Sequence, residues 1–407
     1  MTPAARLAAA IEVLTAVLDA VRVQGPAADT LLARYFRDRR YAGSKDRAAI
    51  RDTVYAVLRD CAWDAADARA ALVAHLRAHD PDRLALFGAD RYAPPALADD
   101  EGMTTGPWLP EWLEAAFIER FGDGWPVEQA ALRDRAPLDL RVNTLKGSRA
   151  AAQAALAAEG IATEPLALSP WGLRAAGGAA VEKSRAFAAG LVEIQDLASQ
   201  LLLQVADALP GETVIDYCAG AGGKTLGLAA SMADRGRLVA CDIDAARLAR
   251  LAPRAARAGA GIIETRCLRD DPLADLADVA DLVVVDAPCS GTGTWRRNPE
   301  ARLRLTGSAL AGITALQAEI LDRAARLVRP GGRLVYAVCS LLPAEGEAQV
   351  RAFGDRAAGF RLADARGRLS GSAAGIDTVS PMSQCLALSP ARQGCDGFFV
   401  AEFERLC

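Results

Sequence analysis

Lysine is nearly missing from this chain. Four occur in 407 residues (Lys45, Lys146, Lys183 and Lys224) among 47 basic positions. The heavy use of Arg and Ala reads as a compositional bias of the source, so a retained lysine carries information. Histidine is scarcer, at two, His75 and His79. They stand four apart on an expected helix, a spacing that can bind a metal, but no third ligand is evident nearby in the sequence. A helix face is the reading, with no metal expected. No apolar run reaches the roughly 18 residues that cross a bilayer. The opening MTPAARLAAAIEVLTAVLDAV is apolar at helical spacing, yet Glu12 and Asp19 interrupt it. An amphipathic helix fits better than a signal peptide, so no membrane partner and a cytoplasmic location are expected. No Cys-x-x-Cys pair is present, which argues against a zinc site. The nine cysteines are odd in number and irregular in spacing, as thiols in a reducing compartment would be. An excess of one charge is also lacking: the net charge is −4, so the whole is no polycation. Charge is uneven, however. Arg34, Arg37, Arg39, Arg40, Lys45, Arg47 and Arg51 face only Asp38 and Asp46 over one short stretch. Such a patch can bind phosphates whatever the total charge, or be a solvated helix face.

The length predicts two or three domains. Residues 1–88 read as a helical domain, since Leu7, Ile11, Leu14, Leu18 and Val21 recur at three- and four-residue spacing. Ile50, Val54, Val57 and Leu58 repeat the pattern. Residues 89–136 read as a linker with short helices, and 137–189 as a small α+β unit. From 190 to 407 apolar runs and helical stretches alternate. The runs are Thr213–Tyr217, Arg237–Cys241, Gly261–Arg266, Asp281–Asp286, Arg333–Val338 and Phe398–Phe403. This predicts an α/β fold with a doubly wound, mostly parallel, Rossmann-like sheet.

The first of these runs leads into Asp216-Tyr217-Cys218-Ala219-Gly220-Ala221-Gly222-Gly223-Lys224-Thr225. A glycine-rich turn between strand and helix lets a ligand approach the backbone and offers helix N-terminal amides. The phosphate-loop pattern fails here, because Cys218 stands where its first glycine belongs. The dinucleotide pattern fails at Thr225. The second strand ends in Cys241-Asp242, and an acidic side chain there can bond ribose hydroxyls; the alternative for Asp242 is a helix N-cap. Asp270 and Asp271 follow the third strand and could face an adenine or cap a turn. A glycine turn, an acidic second strand and no phosphate motif favour S-adenosylmethionine as cofactor.

Two cysteines close the fourth and fifth strands, in Asp286-Ala287-Pro288-Cys289 and Val338-Cys339-Ser340. In a methyltransferase-type sheet these strands are neighbours, and ligands bind at such carboxyl ends. A thiolate there could add to carbon 6 of a pyrimidine and so activate carbon 5 for methylation. The alternative is two small buried apolar residues. Spacing alone does not say which cysteine would attack.

At this point the sequence resembles the RNA (cytosine-5) methyltransferase family, and most of all its bacterial small-subunit rRNA branch. The matching segments are Ile194-Gln195-Asp196 with Ala198-Ser199-Gln200, then DYCAGAGGKT (216–225), DAPCSGTGTWRRNPE (286–300), RPGGRLVYAVCS (329–340) and DGFFVAEF (396–403). Residues 35–60 are similar, more loosely, to the helical RNA-binding domain of many members. The resemblance implies transfer of a methyl group from S-adenosylmethionine to cytosine carbon 5 in RNA, with small-subunit rRNA as partner and a monomeric enzyme. It implies that Cys339 is the nucleophile and that Cys289 assists release of the methylated base. Asp286 would orient the cytosine or the donor's amino group, and Lys224 would lie near the target base. Cys218, Ala219, Gly220, Ala221, Gly222 and Gly223 would surround the donor, Asp242 would take its ribose and Asp270 its base. Arg37, Arg39, Arg40, Lys45 and Arg296 would contact RNA.

Three positions depart from the family's pattern. Gly220-Ala221 replaces Ala-Pro, Ala337-Val338 replaces Ser-Thr before the nucleophile, and Glu300 replaces Asp. None removes a reacting group. Two rivals stand beside this reading. DNA cytosine methyltransferases use a Pro-Cys after the fourth strand, which would make Cys289 the nucleophile. An RNA-binding assembly factor could keep the fold with little turnover.

Overall fold

The computed structural model describes residues 1–98, 101–102, 106–269 and 273–407. The chain forms two compact units: Met1–Arg135 with Thr294–Gly307, and Ala136–Gly293 with Ser308–Cys407. Among the described residues no helix is long and apolar enough to cross a membrane.

The first unit is helical. Its helices run Pro3–Arg22, Ala28–Asp38, Ser44–Asp60, Ala68–His79, Glu111–Phe121 and Trp125–Arg133. Side chains set several of the starts. The Thr2 hydroxyl accepts from Ala5 N, and the Asp67 carboxylate accepts from Arg69 N and Ala70 N. Leu7, Leu14, Ile50, Val54, Leu58 and Leu72 meet in one core, as their helical spacing requires. Residues 111–133, read from sequence as part of a linker, bring Phe117, Phe121 and Trp125 into an aromatic cluster with Trp108 and Trp295.

Trp295 belongs to the excursion 294–307, which joins the helical unit although it lies far along the chain. Its short helix Glu300–Arg304 is pinned by polar side chains. The buried Arg302 guanidinium donates to the carbonyls of Leu58 and Cys61, at 3.1 and 2.9 Å, and to that of Trp108. Burial lowers its pKa to about 10. Glu300 accepts from Ala28 N at 3.0 Å, at the start of the Ala28–Asp38 helix, where an anion is favourable.

The two histidines are not a bare helix face. His75 Nδ1 and His79 Nε2 lie 3.1 and 3.0 Å from one oxygen of Asp60, a neighbour that the linear spacing hides. The hydrogen bond from His75 is the largest of the effects that lower Asp60 to about 2. Arg133 stands 3.7 Å from the other oxygen, a cation where a metal would need none.

The second unit holds two sheets. The smaller contains β1 (Leu138–Val142), β2 (Thr163–Pro165), β3 (Gly172–Ala175) and β4 (Val192–Ile194), in the order β2-β3-β1-β4 with antiparallel pairing throughout. The larger contains β5 (Thr213–Asp216), β6 (Arg237–Asp242), β7 (Ile263–Cys267), β8 (Ala280–Asp286), β9 (Val328–Val338), β10 (Phe360–Ala363), β11 (Leu386–Leu388) and β12 (Phe398–Arg405). Its order is β10-β12-β9-β8-β5-β6-β7, with β11 on β12. Strands β9, β8, β5, β6 and β7 run parallel, and β10, β11 and β12 pair antiparallel. The sheet is thus α/β and mostly parallel, as the alternation predicts. Helices cover both faces, so Leu282–Val285 and Leu334–Val338 are buried on both sides.

Candidate active site

The order reverses between β5 and β8, and ligands in such sheets bind at the carboxyl ends beside that point. The site is built there from four chain segments. The β5 turn runs from Asp216 to Gly223 and opens the helix Gly223–Ser231. Gly222 takes a left-handed φ of +84°, and a Cβ there would lie 2.1 Å from Leu251 Cδ1. Glycine is required on both counts. Gln195 Nε2 and Arg141 donate to the carbonyl of Gly223 at 3.0 and 2.9 Å, and Arg254 donates to that of Ala221 at 2.6 Å. Gln195 belongs to the Ile194-Gln195-Asp196 segment, whose work is therefore to brace the turn.

Asp242 ends β6 and is buried. One carboxylate oxygen accepts from Gly220 N and the other from Asp244 N, both at 2.8 Å. The helix N-cap is Asp244, which accepts from Ala246 N and Arg247 N. Asp242 thus ties the second strand end to the glycine turn. The turn borders a cavity of about 300 Å³ whose lining includes Asp196, Asp216, Cys218, Lys224, Arg247 and Asp286. Burial pushes the Cys218 thiol well up, so it is a poor nucleophile. Asp270 and Asp271, expected near a donor's base, lie outside the described residues.

Asp216 is the residue sequence reasoning missed. It is fully buried, one oxygen accepts from Thr225 Oγ1 at 2.6 Å, and the other has no hydrogen-bond partner. Burial pushes its carboxyl up to about 6. Its place at the end of an apolar strand run was visible, but its unpaired oxygen was not.

The catalytic candidates converge on the adjacent strand ends. Parallel pairing of β8 and β9 sets Val285 beside Tyr336 and Asp286 beside Ala337. That register carries on into the loops, where Cys289 Sγ lies 3.3 Å from Cys339 Sγ. The bond to Cys339 and burial raise the Cys289 thiol well above its ordinary value, with the nearby Glu345 and Asp286 adding to it. Lys224 forms an ion pair with Asp286, and its Nζ stands 5.5 Å from the Phe398 ring centroid. Burial pulls the lysine's pKa down, but Asp286 overrides it, with Cys339 and Asp216 adding to the rise, so the ammonium stays charged. Lys224, Asp286, Cys289 and Cys339 thus lie near one another at these strand ends. Gly293 lets the Cys289 loop reach the start of β12: its carbonyl accepts from Gly397 N at 2.9 Å, its N–H donates to the Cys339 carbonyl at 3.1 Å, and a Cβ on it would lie 1.9 Å from the Gly397 oxygen.

The surface expected to meet RNA is mixed. Arg34, Arg37, Arg40, Lys45 and Arg51 are exposed. Arg39 is engaged, 2.7 Å from Glu12 and over the Tyr35 ring at 4.0 Å. Arg296 is buried within the helical unit, 6% exposed, and so does not belong to the patch.

The chain is similar to known proteins. The profile of the 16S rRNA methyltransferase RsmB/F family matches residues 203–404, and that of an RsmF/B-like ferredoxin-like domain matches residues 109–182. The chain is 37% identical over 329 residues to ribosomal RNA small subunit methyltransferase B of Xanthomonas campestris, covering 77% of this chain and 69% of the relative. It is 34% identical over 320 residues to a probable ribosomal RNA small subunit methyltransferase B of Synechocystis, covering 76% and 70%. The crystal structure of PH0851 superposes over 100% of this chain and 99% of that one, with a TM-score of 0.77 and 25% identity.

Proposed function

The chain belongs to the 16S rRNA methyltransferase RsmB/F family, and from that premise we propose that it methylates carbon 5 of a cytidine in small-subunit rRNA through a cysteine adduct. It is an S-adenosylmethionine-dependent methyltransferase by fold and family. The observation that carries the finer reading is the pair of thiols 3.3 Å apart at adjacent parallel strand ends, beside a half-buried Lys224–Asp286 ion pair.

The cavity fits the donor. It offers residues of the glycine turn and an unpartnered buried oxygen on Asp216, while Asp242 shapes the turn from behind by accepting from Gly220 N. Residues 218–223 and Asp242 would hold S-adenosylmethionine, which supplies an electrophilic methyl group when bound.

The chain's own residues supply the rest. Cys339 Sγ adds to carbon 6 of the cytosine, and the carbon 5–carbon 6 π pair moves onto carbon 5, which takes the methyl group. The carbon 5 proton then leaves to a base, the double bond re-forms and the sulfur is expelled. Cys289 suits the role of that base for a physical reason. The leading cause of its raised pKa is its bond to Cys339. Once Cys339 is bonded to carbon, that cause is gone and the Cys289 thiol becomes more acidic when a thiolate is needed. The target base must leave its stack to reach these loops, so a single-stranded or loop cytosine is the substrate. The exposed arginines of residues 34–51 supply phosphate contacts.

Bisulfite sequencing of small-subunit rRNA from cells with and without this protein tests the reading. One cytidine is expected to resist conversion only when the protein is present. An identical conversion pattern in both would contradict it.

A further inference from the structure

Glu345 lies six residues past Cys339 and is fully buried, yet it touches neither thiol through a hydrogen bond. Its carboxylate accepts four. Oε1 takes Ser290 N at 2.8 Å and Gln317 Nε2 at 3.0 Å; Oε2 takes Ser340 Oγ at 2.5 Å and Ser290 Oγ. Gln317 Nε2 also donates to the carbonyl of Pro288 at 3.0 Å, and Tyr336 donates its hydroxyl to the Glu345 carbonyl at 2.8 Å. The residues on both sides of Cys289, and the residue after Cys339, are thus fastened directly or through Gln317 to one carboxylate. Thr292 adds a cross-brace, accepting from Leu341 N at 2.8 Å.

We propose that Glu345 is a positioning residue that holds the two thiol-bearing loops at one fixed separation. The proposal rests on the reading that both thiols act. Nothing else in the two loops needs a carboxylate there. Strand pairing ends at Asp286–Ala337, and the backbone bonds beyond it, Ala287 N to the Ala337 carbonyl and Gly293 N to the Cys339 carbonyl, hold the Cys339 side but not the turn that carries Cys289. A carboxylate is acceptor-only with about four lone-pair sites, which matches four donors. A glutamine would turn an NH₂ toward one pair of those donors and leave them unsatisfied in a buried place. Misplacement on the order of 1 Å can cost about a hundredfold in rate when two groups must act on one substrate in turn. The hydroxyls that order this segment come from Ser290, Thr292 and Ser340, which follow the cysteines in the chain.

The test reads the thiol separation without needing catalysis. The full-length, substrate-free protein is treated with diamide, a diazene oxidant. It takes up both thiol hydrogens and two electrons, becoming a hydrazine, as the Cys289–Cys339 disulfide forms. Mass spectrometry follows the cross-linked peptide. Wild type is expected to cross-link readily and E345Q roughly tenfold or more slowly, as loss of a charge-assisted hydrogen bond implies. The same variant should lower kcat by at least about tenfold while donor affinity and RNA KM stay within about twofold, a split a general loss of packing would not give. Should E345Q fail to fold, the double variant S290A/S340A keeps the carboxylate, removes two donors and carries the same expectation. Cross-linking at the wild-type rate in the folded variant would overturn the proposal, whatever happens to kcat. Wild type that cross-links but never methylates RNA would sink the proposed reaction and leave the positioning role standing.

Discussion

Asp216 illustrates how a single residue can be set by burial. Its carboxyl stands at about 6 because burial disfavours the charge. A raised carboxyl binds its proton more tightly folded than unfolded. Its contribution to stability is therefore full below the unfolded value near 4 and lost as pH rises through about 6. Above that pH the ionised group costs on the order of 2–3 kcal/mol. Asp216→Asn removes this titration and can keep the bond from Thr225. Urea unfolding should show the variant gaining on wild type between pH 5 and pH 7.5. A stability difference that does not change with pH would remove burial as the cause. The cysteines show the limits of sequence at this scale. The two thiols were legible as a pair because both follow apolar strand runs. Asp216 and Glu345 were not, because a burial and a four-donor set are spatial facts.

At the level of elements, strands were easier to read than what joins them. Leu282–Val285 and Leu334–Val338 are apolar without alternation, as strands covered on both faces must be. The strands β10 and β11, of four and three residues, were missed because so short a run carries no period. The excursion 294–307 was missed for a different reason. Its motif reads as one continuous segment, but its first part belongs to the catalytic unit and its second to the helical one. Arg302 is the anchor of that second part. Arg302→Met would leave the carbonyls of Leu58, Cys61 and Trp108 without their donor, at a cost of about 3 kcal/mol. A clear drop in the urea midpoint is expected, and an unchanged midpoint would show that the excursion docks by its apolar contacts alone.

For the molecule as a whole, the overall charge says little and the local charge says more. A chain of net charge −4 still exposes Arg34, Arg37, Arg40, Lys45 and Arg51 on one stretch of its helical unit. Replacing Arg37, Arg39 and Arg40 by Gln should lower the salt slope of log RNA affinity by about 1.4, at about 0.7 for each free contact. The expected drop counts two arginines rather than three, because Arg39 is already held by Glu12 and Tyr35. Filter binding over a range of salt concentrations checks this, and an unchanged slope would make the patch a solvated face. The sequence divides the chain into four stretches, whereas the chain forms two compact units. That the helical unit takes back a late segment was not legible, since no local pattern records a contact made hundreds of residues apart.

The central claim is that the two thiols act in sequence on one base, and two single variants test it on a denaturing gel. Cys289→Ala can still form the Cys339 adduct and methylate it, but the adduct then breaks down slowly. Protein and RNA should therefore migrate together. Cys339→Ala cannot form the bond and should run free of RNA. Trapped RNA with Cys339→Ala and none with Cys289→Ala would reverse the two roles, and full methylation by both variants would contradict the covalent mechanism altogether.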